Sequence, residues 1–131
     1  MRTEEHLKSF NERKETIFKW AIELRGLENS QRIIGDNASK AAVELLSAYL
    51  HKNKLVKEGF QLNHSWFKSE DILEKIPEFR EKKEIISRMI LLEKSCEKLS
   101  YGTQKPLEEV KTTIKLFQDI EKLINLIWEN Q

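Results

Sequence analysis

Apolar side chains recur every three or four residues along most of this chain, and no stretch has the two-residue period of a half-buried strand. This spacing places the apolar side chains on one face of an amphipathic α-helix. The 131 residues include only four Gly and two Pro, too few for turn-rich β structure. The sequence therefore predicts an all-α fold. The last segment shows the pattern most clearly, with apolar residues at Val110, Ile114, Phe117, Ile120, Ile124 and Ile127.

The first predicted helix extends from Glu4 to Ile34 if nothing interrupts it. At a rise of about 1.5 Å per residue it would measure about 46 Å. A compact domain of this length has a diameter of about 36 Å. We therefore expect this helix to overhang, to bend near Gly26, or to be supported by a second subunit. Its apolar positions are Ile17, Trp20, Ala21, Leu24, Leu27 and Ile34.

Three more long helices are predicted. The second begins after Asp36 or Asn37, the third extends over residues 77–99, and the last begins near Pro106. Their predicted core-facing residues include Ala38, Ala41, Ala42, Leu45, Ala48 and Tyr49 in the second helix, which ends near His51, and Ile85, Met89, Leu92, Cys96 and Leu99 in the third.

The segment between the second and third helices is less regular. It predicts one short helical turn with Asn63 as its N-cap, and then a short helix that begins at Ser69 and is stopped by Pro77. Together these elements predict a single domain over residues 1–131. Its architecture is an up-and-down helical bundle of four long helices plus a short helical insertion.

The large aromatic side chains fall into two groups. The spacing of the first group predicts core positions for Trp20, Phe79 and Phe117. The second group lies in the connection or in the last turns of the last helix, and we expect part of its apolar surface to pack against a partner chain: Trp66, Phe67 and Trp128.

Charge and cysteine content restrict the classes of function. The 23 basic and 22 acidic residues leave a net charge of +1, without the basic excess of proteins that bind nucleic acid through the phosphate backbone alone. The single Cys96 cannot form an internal disulfide, which fits a reducing, cytoplasmic location. We also expect no signal peptide and no membrane-spanning helix, because no apolar run approaches about 20 residues.

The sequence contains no common catalytic or nucleotide-binding motif. It has no glycine-rich phosphate loop, no Gly-x-Ser-x-Gly, no His-Glu-x-x-His, no Cys-x-x-Cys and no calcium loop. Its histidines, His6, His51 and His64, include no pair at the i, i+4 spacing of a helical metal site. We therefore predict no metal, no cofactor and no catalytic residue that a motif would identify.

Two polar stripes are the best candidates for a binding site. Lys40, Glu44, Ser47 and His51 share one face of the second helix, and Arg25, Glu28, Asn29 and Arg32 repeat at helical spacing just before it. If the stripes meet, they form a groove for a small anionic or nucleotide-like ligand, with Arg32 and Lys40 as phosphate partners. The same spacing also fits a solvated face on which Lys40 pairs with Glu44. The predicted ligand-binding residues are Asn29, Arg32, Lys40, Glu44, His51 and His64, the last of which has the simpler alternative role of capping or bonding the connection.

Two stretches resemble a known family. Residues 37–64 combine an alanine-rich helix ending in Tyr-Leu-His with a later Asn-His, and residues 100–127 combine a Tyr-Gly turn with an amphipathic helix. Both are similar to segments of the HEPN domains, a class of small helical nucleotide-binding proteins. The resemblance implies a bundle of four or five helices and a homodimer. It also implies a possible nucleotidyltransferase partner in a toxin–antitoxin-type system.

Many HEPN proteins are metal-independent ribonucleases that use an Arg and a His separated by four to six intervening residues. No Arg in this chain has a His at that spacing, since three residues separate Arg2 from His6. We therefore expect a non-catalytic HEPN-like protein that binds a nucleotide, an RNA or a partner protein. Two alternatives remain open: a ribonuclease with a non-standard set such as Arg32, His51 and His64, and a structural adaptor whose exposed aromatic residues dock a helix of another protein.

Overall fold

A computed structural model describes residues 2–129 of the chain, and these residues are helical with no strand. The prediction of an all-α fold is thus confirmed. The five α-helices are α1 (Thr3–Glu15), α2 (Gln31–Lys52), α3 (Ile72–Lys75), α4 (Lys82–Ser100) and α5 (Leu107–Glu129). A π-helical segment, Thr16–Glu23, continues α1, and two 3₁₀ turns cover Leu27–Asn29 and His64–Lys68.

The four long helices alternate in direction. The His6 side chain on α1 bonds Glu44 on α2, and Arg13, further along α1, bonds Asn37, earlier on α2. These crossed pairs make α1 and α2 antiparallel. Ser100, the last residue of α4, bonds Asp36 near the start of α2, so this pair of helices is antiparallel as well. With the short connection from α4 to α5, this is the up-and-down bundle that the sequence predicts.

Helix α2 contributes more buried residues than any other helix in the described part of the chain. Every predicted core-facing residue of α2 and α4 is buried, and on α5 only Ile114 is half-buried. The small side chains on α2 let its neighbours approach closely, as the alanine stripe predicts. The core is therefore largely what the helical period of the sequence specifies.

The predicted boundary between the first two helices is wrong. The α1 segment ends near Leu24, and Gly26 then adopts φ 84°, a left-handed value that is accessible to glycine. The chain reverses there, and α2 begins at Gln31 rather than after Asp36 or Asn37. Of the three alternatives for the long first helix, the interruption near Gly26 is the one observed. The stop predicted at Gly35 does not occur, because Gly35 lies inside α2.

The prediction that Trp20 is a core residue is also wrong. In the segment Thr16–Glu23 the helical hydrogen bonds span five residues instead of four, so each turn holds more residues and the apolar stripe rotates. Ile17 and Ala21 remain in the core, while the Trp20 side chain is 53% exposed and Leu24 is exposed as well. The same rotation explains why the 3.6-residue period of the α-helix fails here.

Two other aromatic residues lie at the edge of the core. Phe117 is buried as predicted, whereas Phe79 and Trp128 are half-buried and pack against the core. Both rings pack against the Tyr49 ring, with centroid distances of 5.8 Å for Phe79 and 5.9 Å for Trp128. Trp128, which the sequence places partly against a partner chain, therefore has an aromatic neighbour within its own chain.

Helix α4 begins at Lys82, five residues later than predicted. The preceding Glu81 has φ 62°, which is not a helical value and stops the helix from extending back to Pro77. The buried Lys82 ammonium instead donates to the carbonyl oxygens of Leu73, at 2.8 Å, and Ile76, at 2.6 Å, and so closes the end of α3.

The irregular connection contains the predicted turn. The Asn63 side chain accepts a hydrogen bond from the Ser65 backbone amide at 2.9 Å, which caps the 3₁₀ turn His64–Lys68. Phe67, which the sequence places partly against a partner chain, is buried in the core, whereas Trp66 is half-buried. This turn fixes the position of the His64 side chain beside α4.

Candidate functional site

A polar pocket of about 150 Å³ lies between α2, the 3₁₀ turn His64–Lys68 and the second half of α4. We call it the His64 pocket. Its wall and rim combine charged and polar side chains from all three elements: Asp36, Ser39, Lys40, His64, Lys68, Glu93, Glu97 and Ser100, with Gly35, Cys96 and Tyr101.

Gly35 brings the two helices together at one end of this pocket. A Cβ atom added there would lie 2.8 Å from the Ser100 backbone nitrogen and 2.9 Å from the Cys96 carbonyl oxygen. Both distances are shorter than real Cβ contacts, so α2 and α4 approach this closely only because residue 35 has no side chain. The Ser100 hydroxyl then reaches Asp36 at 2.8 Å and ties the ends of the helices together.

The central feature of the pocket is a pair formed by His64 and Glu93. The His64 Nδ1 atom lies 3.0 Å from Glu93 Oε1. The Glu93 side chain is only 6% exposed, while the His64 side chain is 38% exposed. A carboxylate can only accept, so the imidazole donates from Nδ1. Among residues 2–129 no group bonds to Nε2 of His64, and the residue lines the pocket.

This pair has a definite chemical consequence. A buried carboxylate on Nδ1 fixes both the ring orientation and the tautomer of the histidine. In the neutral imidazole, Nε2 is then an acceptor that can bind a hydroxyl or an N–H group. The same arrangement orients histidines that act as general bases. The pocket thus offers an acceptor of fixed geometry.

Charge in the pocket is mixed. The ammonium groups of Lys40 and Lys68 lie on the same lining as the carboxylates of Asp36, Glu93 and Glu97. Glu93 is engaged by His64, and Asp36 accepts the Ser100 hydroxyl. The remaining carboxylate oxygens and both ammonium groups give a ligand acceptors and positive charge side by side.

Buried Cys96 forms part of the pocket floor. Burial raises the pKa of its thiol to about 12, against the lowering effect of hydrogen bonds with Ser39. The thiol is therefore protonated at neutral pH and is not a nucleophile. It packs as a small core residue, which is what its place on the α4 stripe predicts.

Tyr101 lines both the His64 pocket and a more open, shallow cavity of about 440 Å³. The Tyr101 side chain is 71% exposed, the most exposed large apolar residue in the described chain. Three lysines surround it in the shallow cavity, together with Glu97, which lines both cavities: Lys94, Lys98 and Lys105. We call these three lysines and Tyr101 the Tyr101 patch.

A buried glutamine holds the loop that carries Tyr101. Gln31 Nε2 donates to the carbonyl oxygens of Leu99 and Thr103, at 3.2 and 3.4 Å, and its Oε1 accepts from the Lys105 amide at 2.7 Å. Gly102 has φ 84°, which turns the chain directly after Tyr101. The tyrosine therefore stands on a loop with a defined backbone position.

The predicted binding residues divide among three places. Lys40 and His64 meet in the His64 pocket. Asn29 and Arg32 line a separate polar cavity of about 430 Å³ at the start of α2, where Gln104 donates to the Glu28 carbonyl oxygen. The two polar stripes therefore do not face each other across one groove, because their residues line different cavities.

Glu44 and His51 belong to the third place, at the interface of α1 and α2. His6 Nδ1 donates to Glu44 Oε2 at 2.7 Å, and the His6 and His51 rings stack with their centroids 5.2 Å apart. His51 Nε2 donates to the Phe60 carbonyl oxygen at 3.1 Å. The His6 side chain is only 4% exposed, so this cluster is packed against protein rather than open to a ligand.

The sequence pattern does not identify two residues of the site. Glu93 lies between Met89 and Cys96 on the apolar stripe of α4, and a carboxylate at such a position signals a buried partner. For Tyr101 the pattern indicates only the end of a helix. The exposure of this side chain depends on the contacts that position the loop from α4 to α5. A local sequence pattern does not predict those contacts.

Within residues 2–129, no group of three His, Cys, Asp or Glu side chains is arranged to hold a metal ion. In the same part of the chain, none of the helices combines the length and the apolar character required to cross a membrane. No protein-family profile, no curated protein and no solved structure matches the chain.

Proposed function

We propose that this protein binds single-stranded RNA or a nucleotide at the Tyr101 patch and the adjoining His64 pocket. The observation that carries the proposal is the position of Tyr101, which is 71% exposed between a cavity rimmed by lysines and a polar pocket. An exposed aromatic ring next to ammonium groups is the arrangement that proteins use to stack unpaired bases and hold their phosphates.

The balance of charge supports a local site rather than binding along a duplex. The whole chain has a net charge of +1, and the Tyr101 patch concentrates Lys94, Lys98 and Lys105 around one aromatic residue. A few ammonium groups neutralise a few phosphates, and the base contributes the rest of the affinity by stacking. A ligand of one to a few nucleotides fits this distribution.

The proposed function is HEPN-like because residues 37–64 and 100–127 resemble that family, and it is non-catalytic because the chain lacks the Arg and His spacing of the family's ribonucleases. The same resemblance leads us to propose a homodimer, a nucleotidyltransferase partner and a toxin–antitoxin-type role in the cytoplasm. Light scattering measures the dimer directly. Co-purification with the product of a neighbouring nucleotidyltransferase gene measures the partnership.

Fluorescence anisotropy with labelled single-stranded RNA tests the proposed binding. Replacing Tyr101 with Ala removes the stacking platform, and the expected cost is about 1–3 kcal/mol per stacked base. Trp20→Ala is the matched control, because Trp20 is also an exposed aromatic residue but lies on the π-helical segment, away from both cavities. RNA binding that is absent, or equally strong in wild type and Tyr101→Ala, contradicts the proposal.

The His64–Glu93 pair favours a second candidate function, a ribonuclease with His64 as its general base. The pair has the geometry of an oriented imidazole with a free Nε2 atom. Arg32 and His51 do not line the pocket, so neither is in place to assist. Incubation of labelled RNA with wild type and His64→Ala decides this: the candidate requires cleavage products that disappear in the variant.

A further inference from the structure

We infer that the His64 pocket holds the ribose of a ribonucleotide whose base stacks on Tyr101, and that it thereby selects RNA over DNA. This inference rests on the proposed nucleotide binding and adds the chemical class that the pocket recognises. The distinguishing group is the ribose 2′-hydroxyl, which is how proteins tell RNA from DNA at a single site.

The acceptor atoms of the pocket suit a hydroxyl donor. The Glu93 carboxylate accepts a hydrogen bond from Nδ1 of His64 at 3.0 Å. In the neutral ring, Nε2 therefore accepts rather than donates. Glu97 and the second carboxylate oxygen of Asp36 add acceptors on the same lining. Ribose hydroxyls donate to such groups, as acidic residues show in dinucleotide-binding proteins. A deoxyribose offers one donor fewer.

A phosphate group alone does not suit the same pocket. Three carboxylates, from Asp36, Glu93 and Glu97, line it beside the ammonium groups of Lys40 and Lys68. An anion among these carboxylates meets as much repulsion as attraction. A neutral sugar with a phosphate at its edge fits better, because the hydroxyls meet acceptors while the phosphate meets a lysine.

The size of the His64 pocket and its continuity with the shallow cavity favour a sugar inside the pocket and a base outside it. At about 150 Å³ the His64 pocket is the smaller of the two adjoining cavities, and its size suits a sugar ring better than a base and sugar together. Tyr101 and Glu97 line both this pocket and the shallow cavity with the lysines. A nucleotide can therefore keep its sugar in the pocket while its base lies on the Tyr101 ring and the next phosphate reaches Lys94, Lys98 or Lys105.

The test compares anisotropy titrations with three oligonucleotides of one sequence: RNA, DNA and 2′-O-methyl RNA. We expect RNA to bind about tenfold more tightly than DNA, the factor that one good hydrogen bond supplies. The 2′-O-methyl RNA keeps the sugar shape but lacks the donor, so its affinity should fall to that of DNA. RNA and DNA that bind equally well, both depending on Tyr101, would overturn the inference while the proposed function survives. Oligonucleotides that fail to bind at all would overturn the proposed function itself.

Variants then assign the discrimination to the pocket. His64→Ala should lower the RNA affinity about tenfold more than the DNA affinity, since only RNA donates a 2′-hydroxyl to the missing acceptor. Glu93→Gln is the second variant, and it should reduce the RNA preference because an amide no longer fixes the tautomer. Lys115→Ala, an exposed lysine on α5, is the surface control. An RNA preference that persists undiminished in both pocket variants contradicts the assignment.

Discussion

The bundle contains two histidine–glutamate pairs that use the same atoms and have opposite exposure. In the α1–α2 pair, the His6 side chain is 4% exposed and the Glu44 side chain 22%. In the pocket pair, the order is reversed, with His64 at 38% and Glu93 at 6%. Where the ring is enclosed, the pair joins two helices. Where the carboxylate is enclosed, it holds a partly exposed ring at the wall of a pocket.

The environments of the two rings explain this difference. His6 stacks on His51, and its Nε2 atom is buried without a hydrogen-bond partner in residues 2–129. His64 lies in a 3₁₀ turn whose N-cap is Asn63, and its ring faces a pocket. Residue identity and pairing distance therefore do not distinguish an enclosed ring from a ring that lines a pocket. The burial of each partner does.

The largest expected effect is a difference in protein stability between variants of the two histidine–glutamate pairs. His6→Ala removes a buried ring and leaves Glu44 without its partner, so we expect the free energy of unfolding to fall by about 2–3 kcal/mol. His64→Ala, at a partly exposed ring, should cost less than about 1 kcal/mol. Urea denaturation followed by circular dichroism measures both. Equal losses in the two variants would show that burial does not distinguish the pairs.

The second effect concerns the floor of the pocket. Gly35→Ala places a methyl group within 2.8 Å of the Ser100 backbone nitrogen, and such overpacking costs about 1–3 kcal/mol. Gly59→Ala is the matched control, because a Cβ atom there would meet nothing within 4 Å. Thermal denaturation compares the two variants. A Gly35→Ala protein as stable as the Gly59→Ala protein would mean that α2 and α4 need not approach so closely.

The third effect is a dependence of protein stability on pH that arises from the buried thiol of Cys96. Burial disfavours the thiolate and raises the pKa of this thiol from its ordinary value of 9.0 to about 12 in the folded protein. Above pH 9 the unfolded chain loses this proton and the folded chain keeps it, so the free energy of unfolding falls as the pH rises above 9.

Cys96→Ala isolates this slope from other groups that titrate in the same range. The difference in unfolding free energy between wild type and variant should shrink as the pH rises from 9 to about 10. A constant difference would indicate that the thiol is not shielded from water. The pocket floor would then be wetter than its packing indicates.

The smallest effect tests how His64 is positioned. Asn63→Ala removes the side chain that accepts from the Ser65 amide and should cost about 1 kcal/mol, the usual value of an N-cap. If the turn positions the ring, the preference for RNA over DNA should fall too. Asn53→Ala removes a side-chain bond to the Tyr49 carbonyl oxygen at the end of α2 and serves as the control. A preference equal in both variants would show that Glu93 alone orients His64.

Much of the fold follows from the sequence because helical burial is a local pattern. The stripes from Ala38 to Tyr49 and from Ile85 to Leu99 are buried as predicted. The prediction fails for Trp20, because a π-helical segment changes the period, and at Pro77, because Glu81 takes a left-handed backbone conformation before α4. Both failures arise where the backbone leaves the regular α-helix on which the pattern is based.

Only part of the candidate site can be predicted in the same way. The polar character of Lys40 and His64 marks them as binding candidates, and they do share a pocket. Glu93 and Tyr101 are far from Lys40 and His64 along the chain. Only tertiary packing brings these residues together, so the sequence does not predict the rest of the site. Arg32 and His51 carry similar chemical groups but lie elsewhere.

The sequence by itself determined an all-α bundle, because apolar residues at helical spacing can be buried only by packing helix against helix. The tertiary structure decided which polar residues face a pocket and which are enclosed. That choice depends on contacts such as Gly35 against the Ser100 backbone and Gln31 against the loop that carries Tyr101. These contacts join distant parts of the chain, and their geometry is set by the packing of the whole bundle rather than by any local period.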